Sequence, residues 1–117
     1  MKKSDVLTAL AALAQESRLD VFRLLVEAGP VGMPAGSVAA ALKLAPNTLT
    51  FHFDRLREAG LVTVRRDGRS MIYAARFDRM NALLGYLTEN CCQGQPEQCA
   101  PAQCKPATKA QRQTESV

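Results

Sequence analysis

The apolar residues of this chain keep a helical period as far as Gly60 and then switch to alternation, and that single change limits the folds open to it. Val6, Leu7, Leu10 and Leu13 recur at helical spacing behind Ser4, which predicts a first helix from Asp5 to Ala14 with Ser4 as its N-cap. Leu19, Phe22, Leu25 and Val26 predict a second helix from Ser17 to Ala28, stopped by Gly29-Pro30. Pro34 suits a first helical position, and Val38, Ala41 and Leu42 predict a short third helix from Ser37 to Leu44. Pro46 opens a fourth, with Leu49, Phe53 and Leu56 on its apolar side and Gly60 at its end. Beyond Gly60, Val62, Val64, Met71 and Tyr73 can share one face of a hairpin turning at Asp67-Gly68, with Arg66 facing Arg69. Met80, Leu83, Leu84 and Leu87 then predict a fifth helix from Asp78 to Asn90, finishing near Cys91.

Short helices joined by a tight turn, an arginine-rich hairpin and a closing helix describe a mainly α fold with a β-hairpin wing, the winged helix-turn-helix. The expected domain covers residues 1–92. From Gln93 the chain turns to Gly, Pro, Gln, Lys and Thr, too polar to build a core, so residues 93–117 are expected to form a flexible, cysteine-bearing tail. A chain of 117 residues with no Trp and 5% aromatics builds a modest core, so pairing with a second copy is expected. No run approaches the roughly 18 apolar residues of a membrane span, and no signal-peptide core follows Met1-Lys2-Lys3, so a cytoplasmic protein without a membrane partner is expected.

Charge is unevenly spread. Met1 to Gly60 holds seven basic and six acidic residues, whereas Leu61 to Arg79 holds five basic and two acidic. Arg65, Arg66 and Arg69 thus become candidates for phosphate or minor-groove contact. On the fourth helix, Asn47, Thr48, Thr50, Phe51 and His52 are expected on the face away from Leu49, Phe53 and Leu56. Asn pairs bidentately with adenine, Thr meets a thymine methyl or a phosphate, and a helix N-terminus favours an anionic backbone. Double-stranded DNA is the expected partner.

All four cysteines, Cys91, Cys92, Cys99 and Cys104, fall in the last quarter of the chain, unlike the spread framework of a secreted, disulfide-stapled domain. Neighbouring cysteines close a disulfide only through a strained ring, which favours thiols at Cys91 and Cys92. A loop from Gln93 to Gln98 lets Cys99 swing back toward that pair, so three sulfurs can meet on one thiophilic atom. Zinc prefers four tetrahedral ligands, commonly from C-x2-C knuckles, and no such knuckle occurs. Trivalent arsenic or antimony bonds three thiolates in a pyramid and needs no fourth ligand. Cys104 is left unassigned: a spare thiol, a substitute for Cys99, or part of a different pair for methylated arsenicals.

The segment NTLTFHFDRLREAGLVTVRRDGRSMIYA resembles the ArsR/SmtB family of metalloregulatory repressors, and the likeness extends over about residues 4 to 91. The resemblance implies a homodimer built from the first and last helices, an operator with dyad symmetry, and repression relieved by a metal or metalloid. By matching positions it makes Asn47, Thr48, Thr50 and His52 recognition-helix contacts and Arg66 and Arg69 wing contacts. Some arsenic-responsive members bind arsenite through an adjacent cysteine pair at the end of the last helix plus a third cysteine shortly beyond, and Cys91, Cys92 and Cys99 match that pattern. The C-V-C site of another branch is absent, since Gly36-Ser37-Val38 stands there.

The expectation is therefore a repressor that releases operator DNA when As(III) or Sb(III) binds. Movement of Cys99 onto the pair would remodel the end of the fifth helix, placed in the dimer interface through Met80, Leu83, Leu84 and Leu87. A thiol-redox repressor is the nearest alternative, and a thiol-dependent arsenate reductase a more distant one. The latter lacks a Gly-rich anion loop before a helix and any accompanying base, so a non-enzyme is expected.

Overall fold

A computed structural model describes residues 1–94. The chain divides after Tyr86 into a unit Met1–Tyr86 and a second beginning at Leu87. Helices α1 (Lys3–Leu13), α2 (Glu16–Ala28), α3 (Ala35–Leu42) and α4 (Pro46–Glu58) precede a hairpin of β2 (Val62–Asp67) and β3 (Ser70–Ala75). Helix α5 (Phe77–Leu87) and a four-residue helical segment α6 (Cys91–Gly94) follow. Each helix expected from the apolar period is present, and so is the wing.

Local chemistry sets the boundaries. Helix α1 starts at Lys3, not after Ser4; its N-cap is Lys2, whose backbone N–H donates to Asp5 Oδ2 at 3.3 Å. Gln15 caps α2, its Oε1 accepting from the Arg18 amide at 2.8 Å, while Arg18 Nε donates to the Ala12 carbonyl at 2.8 Å and so ties the end of α1 to the start of α2. Pro34 is the residue before α3, not its first, because it also belongs to a strand. Lys43, left-handed at φ 56°, ends α3, and Pro46 takes the first position of α4, which yields the tight turn between two helices.

The sheet holds a strand that the alternation did not announce. Met33–Pro34 forms β1, antiparallel to β3, and the order across the sheet is β1-β3-β2. The register of the hairpin differs from expectation by one position at the turn. Asp67 faces Ser70 and Arg66 faces Met71, so the two turn residues are Gly68 and Arg69. Gly68, at φ 62°, supplies the positive dihedral that a primed turn needs at its first central position. Even so, Val62, Val64, Met71 and Tyr73 do share a face, with Ala75 and Arg66.

The core gathers Val6, Ala9, Val21, Phe22, Leu25, Val38, Leu49, Phe53, Leu56, Leu61 and Leu83. Phe53 lies flat on Tyr73, with ring centroids 3.6 Å apart and planes 6° apart. On α1 the buried positions are Val6, Ala9 and Ala12, while Leu7 and Leu10 stand exposed. The fifth helix stops at Leu87, three residues short of the expected Asn90. A turn follows, Asn90 adopts φ 58°, and Asn is the non-glycine residue most at ease in that region. Of the four residues expected at an interface from sequence, Leu83 is core and Met80 is half-buried, which leaves Leu84 and Leu87 on the surface.

Candidate nucleic-acid interface

Helix α4 owes its placement to a buried row, Leu49, His52, Phe53 and Leu56, packed against α1, α2, α3 and β2. That row fixes what faces outward. Asn47, Thr48, Thr50 and Phe51 are exposed along the first two turns, as expected. Asn47 Oδ1 accepts from the Thr48 amide at 2.9 Å, and Thr50 Oγ1 donates to the Pro46 carbonyl at 2.9 Å. Each polar group is thus steadied by its own backbone while keeping a face toward solvent.

His52 is a correction. Expected on the outward face, it is 6% exposed and lies in the core-facing row, where its Nδ1 has no hydrogen-bond partner among the described residues. Positions 49, 52, 53 and 56 follow the i, i+3, i+4, i+7 pattern, so helical geometry carries His52 inward with Leu49 and Leu56. Burial, and next the nearby Arg18 charge, hold its pKa below the ordinary 6.5. An imidazole buried in the core-facing row is turned away from the outward face of α4.

Phe51 is half exposed, and the Arg55 guanidinium covers it at 4.9 Å from the ring centroid. Arg55 also pairs with Glu58 at 2.8 Å, and Arg57 lies 3.8 Å from Asp54. The second half of α4 therefore carries acids and bases that offset one another, and the uncharged first half is the stretch suited to a groove. Sequence reading passed over Arg55; its spacing of four from Phe51 was the available signal.

In the hairpin, Arg65, Arg66 and Arg69 are all exposed. Arg66 Nε donates to the Gly68 carbonyl at 3.3 Å, which keeps it beside the turn, and Arg69 occupies the turn itself. Arg65 NH2 donates to the Val31 carbonyl at 2.8 Å, a contact across thirty-four positions of chain. Arg76 bonds Asp78 at 2.7 Å, and this hydrogen bond holds the Asp78 carboxyl below its ordinary pKa. That pair withdraws Arg76 from the basic surplus, so the positive charge of this region concentrates on the wing.

Of the candidate thiols, Cys91 is half-buried and Cys92 exposed in α6, with Cys92 at φ 54°. Cys99 and Cys104 lie outside the described residues, and among the described residues no cluster of three metal-ligating side chains occurs. Among the same residues no helix is long and apolar enough to cross a membrane.

A helix-turn-helix whose second helix presents a polar outer face, flanked by an arginine hairpin, defines a winged-helix DNA-binding protein. Comparison with known proteins agrees. Residues 13–65 match a helix-turn-helix domain family. The HTH-type transcriptional regulator YceK of Bacillus subtilis is 36% identical over 77 residues, spanning 65% of this chain and 76% of that protein. An ArsR-like transcriptional regulator from Rhodococcus superposes with a TM-score of 0.67 at 24% identity, covering 78% of this chain and 83% of that one. The homodimeric winged helix-turn-helix domain of Mb0332 from Mycobacterium bovis gives 0.60 at 24% identity, covering 79% and 85%. The chain belongs to the family of HTH-type transcriptional regulators that includes YceK. Its relatives are regulators of transcription, not enzymes.

Proposed function

We propose that this DNA-binding regulator is a homodimeric repressor that leaves its operator when trivalent arsenic or antimony binds Cys91, Cys92 and Cys99, with Cys104 as a possible substitute. The observation that carries the DNA half of this reading is the uncharged, exposed first half of α4 beside an arginine hairpin. Asn47, Thr48, Thr50 and Phe51 read base edges, and Arg66 and Arg69 neutralise phosphates beside the groove. Leu7 and Leu10, exposed on α1, and an apolar groove of about 370 Å³ lined by Leu13, Leu19, Phe22, Val26, Met80 and Leu84 support a second copy as the dimer partner. Two such heads meet successive major grooves about 34 Å apart.

For the signal, support comes from adjacent cysteines that begin four residues after the end of the last long helix and a third seven residues on, soft ligands in the number that a pyramidal metalloid takes. Linkage makes the effect reciprocal: metalloid weakens DNA binding about 5- to 150-fold, and DNA weakens metalloid binding by the same factor.

The test is a mobility-shift titration on a duplex enriched from a random pool by the wild-type protein, with arsenite, antimonite, zinc and peroxide added separately. Arsenite and antimonite release the DNA, and Cys91→Ser, Cys92→Ser or Cys99→Ser abolishes that release without changing basal affinity. Release by zinc alone overturns the ligand, and release by peroxide alone makes the chain a redox regulator.

A further inference from the structure

Beyond the pairing of β1 with β3, one side chain links the outer strand of the wing to the far edge of the sheet. Arg65 starts on β2, yet the oxygen it bonds, the Val31 carbonyl, belongs to the loop leading into β1. Between these two edges lies β3, since the strand order is β1-β3-β2. Edge strands of such a sheet are about 9.6 Å apart, so the arginine stem is used up in crossing the central strand. Its directly opposed residue on that strand is Ile72, whose side chain shares its face. Ile72 and Ala74 are 7% and 6% exposed, although they point to the side away from the Phe53–Tyr73 stack. Gly32 sits at the same edge, so near β3 that a Cβ there would lie 3.1 Å from the Ala74 Cβ and 2.4 Å from the Tyr73 carbonyl oxygen. The loop before β1 therefore presses onto the outer face of β3, and Arg65 closes over it from the opposite edge.

We infer that Arg65 is a positioning residue, a strap that fixes the angle of the wing by bridging β2 to the Val31 loop, while the direct phosphate contacts of the wing fall to Arg66 and Arg69. An arginine held at the Val31 carbonyl is directed across the sheet, whereas Arg66 and Arg69 sit beside and within the turn. The inference rests on the wing touching DNA, and one arm of its test is performed without DNA so that the two ideas fail separately.

The salt dependence of binding distinguishes the roles, because each lost phosphate contact lowers the log–log slope by about 0.9, whereas a positioning residue changes affinity and leaves the slope in place. Full-length protein and the pool-enriched duplex are used at several salt concentrations. Arg65→Met is expected to bind about 3- to 10-fold more weakly, the range one lost hydrogen bond produces, with the wild-type slope. Arg66→Gln and Arg69→Gln each lose about 0.9 of slope. In DNA-free protein, Arg65→Met speeds hydrogen exchange at the amides of β2 and β3 and leaves α2 and α4 as they were, a pattern that general destabilisation does not give. Arg65→Lys keeps the charge on a side chain one atom shorter, which no longer spans the sheet to the Val31 carbonyl; it shows the same weakened binding under the strap and wild-type binding under a phosphate role. A slope loss near 0.9 for Arg65→Met, unchanged affinity, or unchanged exchange in β2 and β3 overturns the inference. Wild-type slopes for both Arg66→Gln and Arg69→Gln, with exchange in Arg65→Met accelerated as described, instead remove the wing's DNA contact and leave the strap.

Discussion

Helix α4 and the β2–β3 hairpin both face outward with candidate DNA-contacting side chains, but they are held by different means. The helix is anchored along its length by Leu49, His52, Phe53 and Leu56, so its outer face inherits its direction from the core. The hairpin is buried along β3 from Ile72 to Ala75 but on β2 only at Val62, and from Arg65 outward β2 stands in solvent. A reading surface can thus be oriented by packing or by a few surface bonds. The first is stiff and tolerates little substitution beneath it; the second yields to single polar changes that hardly touch stability.

The largest break in this contrast comes from below the helix. Phe53→Ala removes a fully buried ring and its stack on Tyr73, and a loss of about 3 to 5 kcal/mol is expected in urea denaturation followed by circular dichroism. A loss under about 1 kcal/mol would show that the helix is not held from its buried side. Next, Asn47→Ala, on the exposed surface, leaves the urea midpoint in place and costs about 1 to 3 kcal/mol of operator affinity at one base position, measured with duplexes varied at each position. Uniform weakening over all sequences would make Asn47 a phosphate contact.

A smaller effect sharpens the comparison from inside the helix. Because the folded protein holds His52 below 6.5, the unfolded chain takes up its proton more readily. Stability is therefore full above the unfolded value and declines as pH falls from about 6.5 through the lowered folded value. Thermal melts at about pH 7.5 and about pH 5.5 should show wild-type protein losing stability on acidification, and His52→Leu losing less. Equal losses in the two proteins would assign the pH response elsewhere.

Much of this architecture is readable from residue spacing because apolar side chains at helical or alternating intervals have few places to go. The five long helices and the hairpin follow from that rule. What escapes it is set by contacts distant in sequence or by the misleading character of a polar residue. Met33–Pro34 is too short to alternate and is a strand only because β3 lies beside it. The hairpin register depends on which residue takes the positive dihedral; Asp67-Gly68 has the look of the turn, but glycine in first place moves it to Gly68-Arg69. Polarity suggests an outward His52, although its spacing from Leu49 and Leu56 places it inward. Arg65 looks equivalent to Arg66 and Arg69 because nothing in a linear sequence reveals a carbonyl at Val31 across the sheet. For the proposed sulfur site, adjacency of Cys91 and Cys92 is plain, whereas Cys99 and Cys104 lie outside the described residues.

The flat stack of Phe53 on Tyr73 joins the middle of the reading helix to the central strand behind the wing. Bending one against the other would pull apart rings that lie face to face, so the helix and the inner part of the hairpin travel together as a single jaw, and only the wing beyond Arg65 is left to surface bonds. In the proposed dimer, a signal at the cysteines would then have one economical course, which is to swing whole jaws relative to each other and leave the inside of each as it was.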